Sequence, residues 1–251
     1  MKLLIGVPTY DGRIDFQVHG KIYEEIAGRP DYAVACWQSS LLAQAFNALY
    51  CTALNGRPEC QYFLLWHSDV RVASAKFLDG MVAELHSLKA GCLSVMIPIK
   101  DERGLTSSGL IFKHNGALKR RRLTMKESAR LPQTFDSESL AKFWDIPASA
   151  SPCLLANTGL MLIDLRSPWA EKIYFTINDK IVKGADGKFE PLVDSEDWWV
   201  SRQMHELGGS VYVTRKFHAL HRGLFSYSNQ GAWGAWNSDQ LWEQTAYEQL
   251  A

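Results

Sequence analysis

The stretch that decides the fold reads YFLLWHSD and spans residues 62–69. Its first five residues form a continuous apolar run, which is typical of a strand buried on both faces of a parallel sheet. The run ends abruptly in His67, Ser68 and Asp69. In open α/β sheets ligands bind beyond the carboxyl ends of the strands, so these three polar residues mark a candidate site.

Apolar runs and helical repeats alternate on both sides of this stretch. Strands are predicted at residues 2–8, 32–37, 62–66, 93–97, 159–165 and 210–214. Helices are predicted at residues 41–54, after Ser39-Ser40, at residues 77–88, and from Asp194 to Leu207. The alternation indicates an α/β fold of Rossmann-like type, in which helices cover a mostly parallel central sheet.

The second half of the chain is less regular. Residues 100–152 show no clear period, which suggests a smaller mixed region. Ser167-Pro168 is typical of a helix cap followed by a first-turn proline. The sequence Gly-Ala-Asp-Gly at residues 184–187 predicts the turn of a surface hairpin. Gly208-Gly209 is expected to stop the helix that begins at Asp194.

The composition limits what kind of protein this is. The 251 residues include 27 basic and 27 acidic side chains, so the overall charge does not favour nucleic acid or a membrane surface. The apolar start at residues 1–8 is too short for a secretion signal or a membrane span. The five cysteines have no zinc-binding or CxxC spacing, which indicates reduced thiols. We therefore expect one cytoplasmic domain without a membrane span.

Polar residues lie at the ends of three predicted strands. They are Thr9-Tyr10-Asp11, His67-Ser68-Asp69 and Asn157-Thr158-Gly159. Turn chemistry explains each of them taken alone, but their joint placement favours a ligand site. Side chains two apart in an extended chain point the same way, so His67 and Asp69 share a direction. An imidazole beside a carboxylate suits a divalent ion such as Mn²⁺ or Mg²⁺.

With these motifs the chain resembles a known family, the GT-A glycosyltransferases related to family 2. The resemblance covers nearly the whole chain and rests on the order of Val7-Pro8-Thr9-Tyr10, Gln44 with Asn47, Trp66-His67-Ser68-Asp69, Ile97-Pro98, Asn157-Thr158-Gly159, Ser195-Glu196-Asp197 and His221. It implies one GT-A domain over residues 1–251. Residues 1–100 would be the nucleotide-sugar half, 101–224 the acceptor and catalytic half, and 225–251 an aromatic tail.

The resemblance also assigns the metal and the base. The family's DxD motif matches His67 and Asp69, with histidine where the family usually has its first aspartate. Asp69 and His221, with His67 beside them, would hold Mn²⁺ or Mg²⁺ and the diphosphate, and His218 is the rival of His221. Asp197, with Glu196 preceding it, would be the general base of an inverting transfer to a hydroxyl acceptor. Read as residues alone, the acidic pair also fits a helix cap.

The donor implied by the resemblance is a nucleoside-diphosphate sugar, with a UDP-sugar favoured. Tyr10 is the candidate for stacking on the base, although a loop aromatic packed on the core is the simpler interpretation. Gln44 and Asn47 would face either the donor or solvent. The full set of donor-binding candidates is Pro8, Thr9, Tyr10, Asp11, Ser40, Gln44, Asn47, His67, Ser68, Asn157, Thr158 and Gly159.

A basic stretch departs from the neutral overall charge. Its members are Lys113, His114, Lys119, Arg120, Arg121, Arg122, Lys126 and Arg130. The stretch from Lys119 to Arg130 is either a solvated face or a surface for acceptor phosphates. Together with residues 97–101 and 104–108, it makes the chain resemble small phage-encoded glycosyltransferases that decorate modified DNA bases. That narrower resemblance implies a DNA acceptor, action in the host cytoplasm, and stacking by Trp233 and Trp236 on an extruded base.

Two further functions fit the same residues. A nucleotidyltransferase would use a similar nucleotide site but attack phosphorus and release pyrophosphate. A non-catalytic module would recognise carbohydrate with its aromatic tail, and the acidic residues would then be structural. The nine tryptophans are compatible with a buried core or with a concave site.

Overall fold

The computed structural model describes residues 2–114, 117–183 and 187–238. Its strands are β1 Leu3–Thr9, β2 Tyr32–Gln38, β3 Tyr62–Trp66, β4 Val70–Val72, β5 Cys92–Val95, β6 Leu105–His114, β7 Ala117–Thr124, β8 Thr134–Phe135, β9 Cys153–Leu155, β10 Leu160–Asp164, β11 Asn178–Lys183, β12 Phe189–Asp194, β13 Val211–Thr214, β14 Ala219–Arg222 and β15 Ser226–Ser228. Its α-helices are α1 Phe16–Ile26, α2 Leu42–Asn55, α3 Phe77–Ser87, α4 Met125–Ser128, α5 Ser137–Phe143 and α6 Glu196–Glu206.

The central sheet of the described residues has the strand order β2-β1-β3-β10-β5-β13-β8. Strand β1 runs parallel to β2 and β3, and β5 runs parallel to β13. Strand β10 is antiparallel to both β3 and β5, which places those two in the same direction. Strand β8 is antiparallel to β13. The predicted mostly parallel α/β sheet is therefore confirmed.

Strand β3 is buried along its whole length and separates two hydrophobic clusters. Phe63 and Leu65 pack into the cluster that contains α2 residues, while Tyr62, Leu64 and Trp66 pack into the cluster that contains α3 residues. This division follows from the alternation of side chains along a strand. Because both faces are covered, every residue of the run has to be apolar. The polar residues that follow β3 therefore emerge at the rim of the sheet.

Residues 100–152, predicted to be irregular, contain regular structure. Strands β6 and β7 form an antiparallel hairpin, and β9 pairs with the other edge of β6. Strand β7 was not predicted because its centre is a run of arginines, which does not look like a buried strand. The arginine guanidinium groups lie over tryptophan rings, with Arg120 and Arg122 over Trp198 and Arg121 over Trp144. Stacking of the guanidinium groups on these rings thus takes the place of an apolar pattern along β7.

The prediction of a helix after Ser167-Pro168 is wrong. Only a short 3₁₀ turn, Ala170–Lys172, forms there, with the amide of Ala170 bonded to the carbonyl of Ser167 at 3.0 Å. Trp169 is buried and fills the space beside Gly91 and Gly209, so the chain turns inward at that point. The surface hairpin is confirmed as β11 paired with β12, and residues 184–186 of its predicted turn lie outside the described residues.

The end of α6 follows from the predicted glycine pair. The amide of Gly209 donates to the carbonyl of Met204 at 2.7 Å, and that of Gly208 donates to the carbonyl of His205 at 3.0 Å. This pair of bonds is a Schellman motif, and Gly208 has the positive φ of 74° that the motif needs. In the part of the chain that the structure describes, no helix is long and apolar enough to span a membrane.

Loss of the Glu25 carboxylate is expected to destabilise the fold. Glu25 is buried on α1, and its oxygens accept bonds from the amides of Phe77 and Leu78 at 3.0 and 3.1 Å. No side chain of the helix itself caps α3, so these bonds satisfy its first turn. Lys21 Nζ lies 2.8 Å from Glu25 and is buried as well. We expect Glu25→Ala to lower the free energy of unfolding in urea by roughly 2–4 kcal/mol.

Glu24→Ala is the matched control for this experiment. Glu24 pairs with the same Lys21 at 2.9 Å, but its side chain is 65% exposed and caps no helix. An exposed ion pair contributes at most about 1 kcal/mol, so this variant should unfold nearly as the original chain does. Equal losses in the two variants would show that the cap on α3 contributes nothing.

Candidate functional site

The candidate site lies where β3 ends and the chain turns into β4. Strand β14 pairs antiparallel with β4, and its register sets His221 opposite Val70. The amide of Arg222 donates to the carbonyl of Asp69 at 2.9 Å. This pairing brings His221 next to Asp69, although about 150 residues separate them in the chain. The sequence-predicted partners Asp69 and His221 therefore meet in space.

His221 is oriented by a backbone carbonyl. Its Nδ1 lies 2.8 Å from the carbonyl oxygen of Pro98, and its Nε2 lies 3.7 Å from Asp69 Oδ1. A carbonyl only accepts, so Nδ1 carries the proton and Nε2 presents its lone pair toward Asp69. Burial lowers the pKa of His221, which favours this neutral form. A metal-binding histidine is commonly held in this way by its second nitrogen.

Lys100 is a member of the site that the sequence did not predict. Its ammonium group forms an ion pair with Asp69 Oδ2. Burial raises the pKa of Asp69, but the ion pair with the Lys100 ammonium group outweighs it and holds that pKa below its ordinary value. Asp69 is therefore a carboxylate at neutral pH. The sequence feature that could have identified Lys100 is its position just after Ile97-Pro98, at the end of a buried strand.

The side chain of His67 contacts Thr158, whereas that of Asp69 contacts Lys100 and His221. Its Nε2 lies 3.3 Å from the hydroxyl of Thr158, and its ring packs 5.2 Å from that of Phe46. Burial lowers the pKa of His67 to about 4, so the ring is neutral. Within the described residues no group of three or more His, Cys, Asp or Glu side chains is arranged to hold a metal. Asp69 and His221 thus form a two-residue pair, with His67 beside it.

The segment Asn157-Thr158-Gly159 joins this corner to the end of β5. Asn157 is buried and uses both ends of its amide, donating to the carbonyl of Val95 at 2.7 Å and accepting from the amide of Gly159 at 3.0 Å. The carbonyl of Gly159 in turn accepts from the amide of His67 at 2.9 Å. Asn157 therefore fixes the backbone of the site, while Thr158 holds His67.

The first turn of α6 contributes two carboxyl groups next to this segment. Ser201 of α6 accepts from the amide of Ala156 at 3.0 Å, and Trp198 donates to the carbonyl of Ser107 at 3.1 Å. Asp197 Oδ1 accepts from the Ser195 hydroxyl and, at 2.8 Å, from the amide of Trp198. The helix is thereby anchored with Glu196 and Asp197 at its start.

Asp197 has a strongly altered acidity. Burial, and then the charge of Glu196, raise its pKa to about 7 against the opposing effects of Ser195, Arg122 and the Trp198 amide. Burial also raises the pKa of Glu196. A carboxyl group with a pKa near neutrality accepts and releases protons under ordinary conditions, which is the property of a general acid or base.

The loop after β1 lies beside the same corner. The amide of Asp15 donates to the carbonyl of Ser68 at 2.9 Å. Pro8 and Thr9 are buried in the end of β1, whereas the ring of Tyr10 is 72% exposed. Asp11 accepts from the amide of Arg13 at 3.1 Å. An exposed ring next to a sheet edge is available for stacking, unlike the core packing that the sequence left open.

The remaining donor candidates lie around the start of α2. Ser40 and Gln44 are exposed, and Gln44 Oε1 accepts from the Ser39 hydroxyl at 2.8 Å. Asn47 uses its amide on the backbone of Phe175, with bonds of 2.7 and 2.8 Å. Its side chain therefore faces Phe175 instead of a donor or solvent, the two orientations expected from the sequence.

The basic stretch does not form a continuous solvated face. Arg120 is 9% exposed and donates to the carbonyl of Val193 at 2.9 Å. Arg121 pairs with Glu127 at 2.6 Å. Together with the stacking on Trp144 and Trp198, these contacts turn the central arginines toward the protein interior. The side chain of His114 lies outside the described residues.

No protein-family model matches the chain, and no curated protein matches its sequence at a significant level. Among solved structures, the protein A197 from STIV is 12% identical with a TM-score of 0.49, over 89% of this chain and 86% of that one. Mannose-1-phosphate geranyltransferase from Thermus thermophilus is 12% identical with a TM-score of 0.40, over 87% of this chain and 76% of that one.

A third similar structure is UDP-glucose pyrophosphorylase from Leishmania major. It is 18% identical with a TM-score of 0.33, over 69% of this chain and 38% of that one. Likeness at this level does not define an activity.

Proposed function

We propose that this protein transfers a sugar from a nucleoside-diphosphate sugar to a hydroxyl acceptor. The observation that carries the proposal is the pairing of two chemically different centres at one edge of the sheet. Asp69, His221 and Lys100 form a polar corner beyond β3, and Asp197 is a carboxyl group with a pKa near 7 at the start of α6. Residues 156–159 join them, because Ala156 bonds to Ser201 of α6 and Thr158 contacts His67. Glycosyl transfer needs one centre for the leaving diphosphate and another for the acceptor proton.

Asp69 and His221 fit a divalent ion that also binds a diphosphate. The Nε2 lone pair of His221 and the Asp69 carboxylate face each other, and the Pro98 carbonyl fixes the imidazole. Magnesium and manganese sites often combine one or two protein ligands with substrate phosphate oxygens, so two residues suffice. When bound, such an ion would offset the charge that develops on the departing diphosphate. Lys100 supplies a fixed positive charge at the same place.

The nucleotide is expected along the loop after β1. Tyr10 offers an exposed ring for the base, and the bond from the Asp15 amide to the Ser68 carbonyl holds this loop next to Asp69. The carboxyl edge of a parallel sheet is the usual location of nucleotides in α/β proteins. We take a UDP-sugar as the first donor to test, in keeping with the family that the sequence resembles.

Asp197 is proposed as the base that activates the acceptor. As the acceptor oxygen attacks the anomeric carbon, its proton passes to the Asp197 carboxylate. The new carbon–oxygen bond forms while the bond from the anomeric carbon to the diphosphate oxygen breaks, and the nucleoside diphosphate leaves. Attack from the side opposite the leaving group inverts the configuration. A modified DNA base, as the narrower resemblance implies, is one candidate source of the hydroxyl.

The pH dependence of the reaction follows from this role. Asp197 has to be ionised to accept a proton, and its pKa is about 7. We expect the transfer rate to increase about tenfold per pH unit below pH 7 and to level off above it. Initial rates measured at saturating donor between pH 5 and 9 test this expectation. A rate already constant from pH 5 would show that no base with a pKa near 7 limits the transfer, which contradicts the role proposed here for Asp197 with its raised pKa.

Product analysis is the experiment that tests the function. The protein is incubated with UDP-sugars and Mn²⁺, and the released nucleotide is identified. Release of UDP supports sugar transfer, including slow transfer to water, whereas release of pyrophosphate from a nucleoside triphosphate and a sugar phosphate would assign a nucleotidyltransferase. A ligand that binds the native state raises the melting temperature. No melting shift with any nucleotide sugar, with or without Mn²⁺, would favour a non-catalytic module.

A further inference from the structure

A surface groove of about 470 Å³ lies beside the candidate site, at the start of the C-terminal segment. Its volume is within the range of small-molecule sites. We refer to it as the aromatic groove. It is lined by Glu102, Phe225, Ser226, Tyr227, Ser228, Trp233 and Gly234.

The walls of the aromatic groove are held in place by the fold. The indole nitrogen of Trp233 donates to the carbonyl of Ser228 at 2.7 Å, and the amide of Ala235 donates to the carbonyl of Glu102 at 2.9 Å. The backbones of Gly104 and Gly234 touch, because a Cβ on Gly234 would lie 2.5 Å from the Cα of Gly104. The groove is therefore preformed, which lowers the entropic cost of binding a ligand.

Aromatic faces dominate the lining. The rings of Tyr227 and Trp233 stack with centroids 5.9 Å apart and an angle of 30° between their planes. Phe225, which also lines the groove, is 67% exposed. An exposed phenylalanine next to a fixed aromatic pair is typical of a surface that covers a flat ligand with apolar faces.

The charge of the groove selects among such ligands. Its charged side chain is Glu102, whose carboxylate forms no ion pair or hydrogen bond with the residues that the structure describes. A carboxylate repels phosphate groups, so a nucleic-acid strand is disfavoured. It accepts hydrogen bonds from hydroxyl groups, and Ser226 and Ser228 add hydroxyls at the same wall. A pyranose ring combines apolar C–H faces with a rim of hydroxyls, which matches both features.

The groove is continuous with the candidate site. Tyr227 on β15 is paired in register with His221 on β14. Lys100, which contacts Asp69, packs against Gly223, where an added Cβ would lie 3.3 Å from the lysine side chain. We propose that the aromatic groove binds a pyranose ring of a saccharide acceptor and directs its hydroxyl toward the site. The role of that saccharide as acceptor rests on the proposed function, whereas its binding does not.

Binding without nucleotide or metal tests the groove. The full chain is titrated by calorimetry with the trisaccharides of β-1,4-linked glucose, of mannose and of N-acetylglucosamine. We expect at least one to bind, Phe225→Ala to weaken it about tenfold through loss of ring stacking, and Glu102→Gln to weaken it a few-fold. Leu224→Ala is the matched control, because Leu224 is 98% exposed next to Phe225 but does not line the groove.

Two results would overturn the proposal. One is the absence of binding by all three trisaccharides, or binding that Phe225→Ala leaves unchanged. The other is binding of a short single-stranded DNA that depends on Phe225, which would assign the groove to nucleobases. Donor turnover with no saccharide binding would overturn the assignment of the groove as a saccharide site and leave the proposed function in place. Saccharide binding without turnover of any nucleotide sugar would contradict the proposed function and leave the groove supported.

Discussion

Asp69→Asn is expected to lower donor turnover by a factor of roughly 10² or more. Asn is nearly the same size but carries no charge, so it loses both the ion pair with Lys100 and the attraction for a divalent ion. The backbone carbonyl of Asp69, which accepts from the amide of Arg222, remains in place. The variant should therefore fold normally and lose activity. Release of nucleoside diphosphate is the measurement.

Asp79→Asn provides the matched control for this change. Asp79 is also an aspartate paired with a cation, since its carboxylate lies 2.5 Å from Arg29, but it belongs to α3 and is half-exposed. Loss of such a surface pair should alter neither activity nor, beyond about 1 kcal/mol, stability. If Asp69→Asn turned over donor as well as Asp79→Asn does, the corner beyond β3 would not be the diphosphate site.

Asp197→Asn is expected to lower sugar transfer by about 10² to 10⁴, the usual contribution of a general base. The side-chain oxygen of the asparagine still accepts a hydrogen bond from the backbone amide of Trp198, but the side chain cannot take a proton from the acceptor. Donor binding, measured by the melting shift with UDP-sugar, should be unchanged because the role proposed for Asp197 concerns the acceptor and not the donor. An equal loss of donor affinity would assign Asp197 to the donor pocket instead.

The same substitution should raise stability, and the sign follows from the pKa. In the unfolded chain an aspartate ionises near its ordinary pKa of 3.8, whereas in the fold Asp197 ionises near 7. The free energy of unfolding is therefore highest below pH 3.8, where Asp197 is protonated in both states. It decreases between pH 3.8 and pH 7, and above pH 7 the full cost of ionising Asp197 in the fold is reached. We expect the melting temperature of Asp197→Asn to exceed that of the original chain by a few degrees at pH 8 and hardly at all at pH 4. A constant difference across this range would show that the pKa is not raised.

The central sheet could be predicted from sequence because its buried strands are continuous apolar runs. Strand β3 was predicted with its observed bounds, since a strand covered on both faces has to be apolar throughout. Strand β7 was missed for the opposite reason. Its arginines are polar in sequence, and only the tryptophans of distant segments make them suitable for packing. The signal for β7 therefore lies outside its own residues.

The candidate site was predicted only in part, because some of its contacts also depend on segments that are distant in the sequence. Asp69 is visible from its place after a buried strand, but its ion pair with Lys100 depends on how two chain segments meet. Asn47 illustrates the converse case. Its polar position on α2 suggested a ligand contact, whereas the structure uses its amide to fix Phe175. A polar residue on a helix does not reveal from sequence alone whether it serves a ligand or the backbone.

The pairing of β4 with β14 also determines when the site can exist during synthesis. Asp69 leaves the ribosome long before His221, and the register that joins them requires both strands. Contacts between residues so far apart in sequence form slowly and late in folding. A nascent chain that has folded its first parallel strands therefore holds half of the corner. The pair of Asp69 and His221 is therefore complete only once β14 has emerged and docked against β4.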